Sequence, residues 1–277
     1  MTVKRGFVDV PEGQVHYRYA APARPIGVPL VMLHPSPGSA KMLEPLIRTF
    51  GERRRVVATD TLGNGDSSAP RERSPGLAYF ATAHLQALDS LNIERFDLYG
   101  SHTGANIACE LAIAHPQRVR RLILDGVSVY APAERAEMLE RYAPEMTIDH
   151  QGTQIHRLWN FVRDVYLFWP WYKPDAAHAR RVGLPSADDL HDKVVEVLKA
   201  ARTYHLSYRA AIAYDKEQRL PLVSVPTLLA CARSDMFMEY FERVKALMPA
   251  AAAIVTEGTG SEAALRATVA AFEAFLD

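Results

Sequence analysis

Short apolar runs alternate with helix-length amphipathic stretches along the first half of the chain. Residues 3–10 and 13–20 flank the turn Pro11-Glu12-Gly13, which predicts a β-hairpin. Continuous apolar runs are typical of strands buried on both faces of a parallel sheet, and they occur at 29–34, 54–60, 95–100 and 118–126. Helical patterns lie between them, near 40–50, 78–92 and 103–115. This alternation predicts an α/β fold with a doubly wound, mostly parallel sheet.

From residue 129 to 215 the strand-like runs stop and helical periodicity takes over. The alternation resumes with VPTLLACA (225–232) and continues to a last helix near 261–276. We therefore predict a core formed by 1–128 and 216–277, with a helical cap (129–215) inserted after the sixth strand. The cap contains all three tryptophans. Its aromatic residues either form an apolar wall above a substrate, with Trp159, Phe168 and Trp169 as the candidates, or simply form the core of the cap.

Composition excludes several partners. The 277 residues carry 32 basic and 32 acidic side chains, so no net field attracts nucleic acid or an anionic membrane. No apolar run has the length of a signal peptide or a membrane span. The two cysteines fall in apolar stretches, and no histidine pair has the i, i+4 spacing of a helical zinc site. We expect a cytoplasmic protein with a small-molecule substrate, no cofactor and no metal, and a homodimer is possible.

Three motifs occur in a diagnostic order. LHPSPGSA (33–40) follows one predicted strand, ATDTLGNGDS (58–67) ends another, and DLYGSHTGANIACELAIAHP (97–116) reads as strand, turn and helix. In this order, and on these elements, they resemble the α/β-hydrolase fold superfamily. The layout is most similar to its cap-bearing branch of epoxide hydrolases, dehalogenases and carbon–carbon bond hydrolases.

The resemblance assigns roles to particular residues. The family places its nucleophile at the centre of a G-x-Nu-x-G turn, and Gly100 to Gly104 puts His102 there, with Ser101 one residue early. The acid corresponds to Asp235, with Asp125 at an alternative position. The backbone N–H groups of Ser36 and Thr103 correspond to the oxyanion hole, and His34 to a histidine often found beside it.

The histidine of the triad has no counterpart. The family places it after the last strand, where this chain has Gly260-Ser261, and the last histidine of the sequence is His205. We therefore expect Asp235 to lie near Ser261, with water or a different side chain in the place of the missing imidazole.

Three functions are consistent with these residues. The first is a hydrolase or lyase that acts on a small, largely apolar or aromatic carbonyl or ester compound, with His102 as base or nucleophile. The second is a catalytically inactive small-molecule binding protein with a hydrolase fold. The third is a hydrolase that uses Ser101 together with a histidine of the cap.

Overall fold

The computed structural model describes residues 1–277, which form one eight-stranded sheet flanked by helices. The strand order is β1-β2-β4-β3-β5-β6-β7-β8. The β1–β2 and β2–β4 pairs are antiparallel, and every other pair is parallel. The strands are β1 (Lys4–Val10), β2 (Gly13–Ala20), β3 (Leu30–Leu33), β4 (Val56–Thr59), β5 (Phe96–Ser101), β6 (Val119–Asp125), β7 (Thr227–Ala232) and β8 (Ala252–Thr256).

Both faces of the sheet are covered, which explains why its central strands have continuous apolar sequences. Val31 and Leu33 of β3 contribute to one core, whereas Leu30 and Met32 contribute to the core on the opposite face. The first core includes α2 (Leu77–Ser90) and α3 (Thr103–Ala114), and the second includes α1 (Glu44–Phe50) and the last helix, Glu262–Leu276. The predicted doubly wound sheet is confirmed.

Between β6 and β7, residues 129–215 form four helices with a core of their own. They are α4 (Pro132–Arg141), α5 (Thr153–Leu167), α6 (Ala187–Lys199) and α7 (Tyr204–Ala213). Residues 188–214, which fall within this helical pattern, form parts of two helices, α6 and α7. The chain turns at Ala200 to Thr203, where the Thr203 hydroxyl donates to the Gly63 carbonyl oxygen of the core at 2.5 Å. This contact with the core ends α6 and redirects the chain.

The remaining elements belong to the core, on either side of the cap. They are the short helix α8 (Lys216–Arg219), α9 (Phe241–Leu247) and α10 (Glu262–Leu276), together with 3₁₀ helices at Ala40–Leu43, Leu220–Leu222 and Met236–Tyr240. None of the helices is both long enough and apolar enough to span a membrane.

Candidate active site

The turn between β5 and α3 places His102 in an unusual backbone conformation. Its φ of 51° and ψ of −109° lie outside the helical and extended regions. A Cβ added to Gly100 would lie 2.3 Å from the Gly104 carbonyl oxygen, and one added to Gly104 would lie 2.2 Å from the Leu33 carbonyl oxygen. The two glycines are therefore required because the helix and the strands approach so closely. A strained backbone such as that of His102 costs about 1–3 kcal/mol and persists only where the surrounding structure enforces it.

The imidazole of His102 is hydrogen-bonded to Asp235. The distance from Nε2 to Oδ2 is 2.7 Å, and 133 residues separate the two positions in sequence. Asp235 follows β7, and its Oδ1 accepts the N–H of Phe237 at 2.8 Å, which fixes the carboxylate. The Phe237 ring packs against the imidazole with 4.7 Å between ring centroids. The side chain that takes the place beside Asp235 is therefore His102 itself.

Space for this imidazole depends on Gly126. A Cβ at that position would lie 2.5 Å from Cδ2 and 2.6 Å from Nε2 of His102, and the φ of Gly126 is +69°. Only glycine adopts this backbone conformation readily, and only glycine leaves the ring its room.

The pair is largely excluded from solvent, with side-chain exposures of 22% for His102 and 17% for Asp235. Burial by itself would lower the pKa of His102, but the charge of Asp235 and the hydrogen bond to it outweigh burial and raise that pKa. Burial would likewise raise the pKa of Asp235, yet His102 and the Phe237 N–H bring it below its ordinary value. An ionised carboxylate can only accept hydrogen bonds, so Nε2 carries the proton and donates it. Nδ1 has no hydrogen-bond partner in the protein.

Ser101 lies on the other side of this pair. It lines a second cavity of about 400 Å³ together with Tyr99, Asp125 and Asp235. Burial raises the pKa of Asp125 to about 6, although the Tyr99 hydroxyl donates to it at 2.8 Å. Residues 257–260, which directly precede Ser261, line the same cavity. This is the part of the chain where the family has the histidine of its triad and this sequence does not. Ser101 does not reach the cavity that His102 lines.

His102 faces a cavity of about 120 Å³ between the sheet edge and the cap, smaller than the one beside Ser101; we call it the main cavity because His102 lines it. Aromatic and aliphatic side chains form most of its wall. The cap supplies Tyr130, Tyr142, Phe161, Val162, Val165, Trp169, Lys193, Tyr208, Ala211 and Ile212, and the core supplies Pro35, Ser36, Pro37, Met42, Thr103, Asn106, Ser128, Met236 and Phe237.

Two backbone amides on the wall of this cavity lack an acceptor. The Ser36 N–H makes no hydrogen bond to the protein. Thr103 is the first residue of α3, so its N–H has no carbonyl one turn earlier in the helix. These are the two donors that the sequence assigned to an oxyanion hole.

Three of the expected substrate contacts lie elsewhere. His34 is fully buried, and its ring holds two loops together: Nδ1 donates to the Pro35 carbonyl oxygen at 2.8 Å, and Nε2 accepts the Thr61 N–H at 2.9 Å. Trp159 is 40% exposed on the outer face of α5, and Phe168 forms an isolated β-bridge with Ala179. None of the three lines the main cavity, because each side chain is committed to packing or solvent. Trp169 does line it.

The sequence analysis missed two polar residues of the cavity wall. Lys193 comes from α6, and its ammonium contacts the Tyr166 hydroxyl at 3.2 Å and no carboxylate. Asn106 comes from α3 and is 5% exposed. Its position four residues after His102, on the same face of a helix, was a signal that could have identified it.

One cluster has the composition of a metal site, away from the cavity. His16, Asp60 and Asp66 have ligand atoms within 4.8 Å of one another. The Asp60 carboxylate already accepts from the His16 ring at 2.8 Å and from the N–H groups of Ala40 and Asp66, at 2.7 and 3.1 Å. These bonds account for a buried carboxylate that joins β2, the 3₁₀ helix Ala40–Leu43 and the loop that contains Asp66.

Comparison with known proteins identifies the family of the fold. The family model described as the alpha/beta hydrolase fold matches residues 28–265. The chain belongs to the α/β-hydrolase family. Among solved structures, it is similar to an enol-lactonase from Burkholderia xenovorans (TM-score 0.72, 19% identity, covering 98% of this chain and 99% of the other). It is also similar to epoxide hydrolase A from Mycobacterium thermoresistibile (TM-score 0.73, 20% identity, covering 99% and 98%).

Two of the curated relatives are hydrolases of small molecules. A 2-hydroxy-6-oxononadienedioate/2-hydroxy-6-oxononatrienedioate hydrolase from Paraburkholderia xenovorans is 28% identical over 84% of this chain and 79% of its own length. A 2-hydroxymuconate semialdehyde hydrolase from Pseudomonas sp. is 40% identical, but the match spans only 36% of either protein.

Proposed function

We propose that this α/β-hydrolase cleaves small, largely apolar carbonyl or ester compounds with His102 as a general base. The observation that carries the proposal is the 2.7 Å bond from Nε2 of His102 to Asp235, which leaves Nδ1 as the unpartnered nitrogen of a ring that lines the cavity. An imidazole oriented by a carboxylate accepts a proton through its other nitrogen. The usual relay of nucleophile, histidine and acid is thereby shortened to histidine and acid.

The proposed reaction uses water as the nucleophile. Nδ1 takes a proton from water while the water oxygen forms a bond to the substrate carbonyl carbon. The negative charge that develops on the carbonyl oxygen is held by the N–H groups of Ser36 and Thr103, and such donors contribute about 10²–10³ each in rate. Asp235 stabilises the imidazolium. When the tetrahedral intermediate collapses, the bond to the leaving group breaks and the imidazolium returns its proton to that group.

The position of Lys193 favours a substrate that carries a carboxylate. It supplies the only ammonium or guanidinium group on the wall of a cavity that is otherwise mainly apolar and aromatic. No carboxylate of the protein pairs with it, although many other basic side chains form ion pairs. An unpaired cation in a largely apolar site favours an anionic ligand. The dioate named for the Paraburkholderia relative has that character.

The test compares His102→Ala with Ser101→Ala on 2-hydroxymuconate semialdehyde, phenyl acetate and dihydrocoumarin. We expect His102→Ala to lower kcat by about 10²–10⁴, the range for loss of a general base, while the thermal melt shows an intact fold. Ser101→Ala should retain most of the activity, and a serine-directed organophosphate should not label the wild-type chain. Activity that survives His102→Ala but is lost in Ser101→Ala would assign the chemistry to Ser101 instead. Wild-type turnover of none of the three compounds would reject the proposed hydrolysis.

A further inference from the structure

One hydroxyl of the cap contacts a residue of the proposed oxyanion hole. Ser207, on α7, is completely buried, and its Oγ lies 3.0 Å from Oγ of Ser36, in the loop after β3. The two residues are 171 positions apart in sequence, so this hydrogen bond joins the cap to the core. Ser36 lines the main cavity, whereas Ser207 lies behind it and does not. The cap therefore reaches the wall of the site through the Ser36 side chain.

A third side chain fixes the Ser207 hydroxyl. Nδ2 of Asn64, in the loop after β4, donates to Oγ of Ser207 at 3.3 Å, and Asn64 is itself buried. A hydroxyl oxygen has two lone pairs, so this bond leaves Ser207 free to donate to Ser36 or to accept from it. Two core loops and one cap helix thus meet at the Ser207 oxygen, and the Ser36 hydroxyl is held between them.

Anchoring the Ser36 side chain also restrains the Ser36 N–H. Ser36 lies between Pro35 and Pro37, whose rings fix φ at both of those positions. The residue before a proline is in addition restricted to extended conformations. The main rotation that remains is about the N–Cα bond of Ser36, and this rotation changes the angle between its N–H and its side chain. A hydrogen bond that holds Oγ therefore limits the directions that the N–H can take.

We propose that Ser207 is a positioning residue, which keeps the Ser36 N–H directed at the carbonyl oxygen of the substrate. This inference rests on the proposed function, in which that N–H stabilises the negative charge of the tetrahedral intermediate. A donor that is oriented in advance stabilises this charge without reorganisation during the reaction. Because Ser207 belongs to the cap, the oxyanion hole is complete only while α7 lies against the core.

The experiment uses the full chain with two probes. Phenyl acetate is the substrate, and phenyl methylphosphonate is a stable, anionic and tetrahedral analogue of the intermediate formed from it. We expect Ser207→Ala to lower kcat about tenfold, the effect of losing one hydrogen bond of about 1.4 kcal/mol, with little change in KM. The inhibition constant of the phosphonate should rise by a similar factor, because an analogue of the transition state loses the interactions that the transition state loses.

A double-mutant cycle tests whether Ser207 acts through the Ser36 hydroxyl. Ser36→Ala removes that hydroxyl but keeps the backbone N–H, so it should lower kcat and weaken phosphonate binding as Ser207→Ala does. The variant that carries both substitutions should lose no more than either single variant, because each of them breaks the same hydrogen bond. Losses that add in the double variant would mean that Ser207 acts by another route, and they would overturn the proposal.

Thr203→Val is the matched control, because the Thr203 hydroxyl makes another hydrogen bond between cap and core, to the Gly63 carbonyl oxygen, and does not contact Ser36. It should lower the melting temperature but leave kcat and phosphonate binding unchanged. Wild-type kcat and phosphonate binding in Ser207→Ala, or equal losses of both in Thr203→Val, overturn the proposal. Phosphonate binding does not require the base, so full activity of His102→Ala would refute the base while the inhibition constants still decide the role of Ser207.

Discussion

Replacing Asp235 by asparagine tests the central pair of the site most directly. The substitution keeps the shape of the side chain but removes the charge that lies 2.7 Å from Nε2 of His102. Burial, the one strong effect that remains, favours the neutral ring. A hydrogen bond to a charged group contributes about 1.5–3 kcal/mol, which corresponds to about 1–2 pKa units. We therefore expect the pKa of His102, which the charge of Asp235 holds above its ordinary 6.5, to fall once that charge is removed.

Two assays follow this shift. An NMR titration of the His102 ring reports the pKa directly, and the acid limb of kcat/KM should move to lower pH by the same amount because the free base is the active form. Activity at high pH should fall, since the asparagine neither stabilises the imidazolium nor enforces the tautomer with the proton on Nε2. Asp188→Asn, at an exposed position of α6, is the control. An acid limb that stays in place in Asp235→Asn refutes the assignment of His102 as the base that Asp235 supports.

Three further outcomes are expected. Gly126→Ala should lower kcat/KM by a factor of about 10², which is the effect of misplacing a catalytic group by about 1 Å. Gly76→Ala is the control and should leave kcat/KM unchanged, because a Cβ added there meets nothing within 4 Å. Steady-state kinetics of both variants measure the effect. Lys193→Met should raise KM for 2-hydroxymuconate semialdehyde by about 10–100-fold and leave KM for the uncharged phenyl acetate nearly unchanged, and equal changes for both compounds would contradict a carboxylate contact. The melting temperature of the wild-type chain should exceed that of His102→Ala most between pH 3.8 and 6.5, the ordinary pKa values of the two groups. Because folding raises the pKa of His102, the contribution of His102 to the free energy of unfolding is lost as pH rises through its folded-state pKa. Because folding lowers the pKa of Asp235, the contribution of Asp235 is lost as pH falls through its own folded-state pKa. A difference in melting temperature that is constant with pH would show that the pair does not stabilise the fold.

The sequence determined the features that depend on local pattern. Continuous apolar runs predicted the strands of the sheet, because these strands are buried on both faces. Helical periodicity predicted the cap, because its helices are buried on one face. The glycines at 100 and 104 identified the turn, since a Cβ at either position would collide with backbone. The same pattern put His102 at its centre and showed that no histidine follows Asp235.

Only the tertiary structure decided how these residues meet. Nothing in the sequence indicated that the His102 ring would reach Asp235, because that contact depends on Gly126, which follows β6, and on Phe237, in the 3₁₀ helix after β7. His34 looked like a cavity residue from its place after a strand, yet both ring nitrogens are committed to backbone groups. Lys193 enters the cavity because α6 packs across it, and periodicity identifies the buried face of a helix without identifying what that face covers. A local pattern encodes an element and its exposure, whereas the partner of a side chain is set by the packing of segments far apart in sequence.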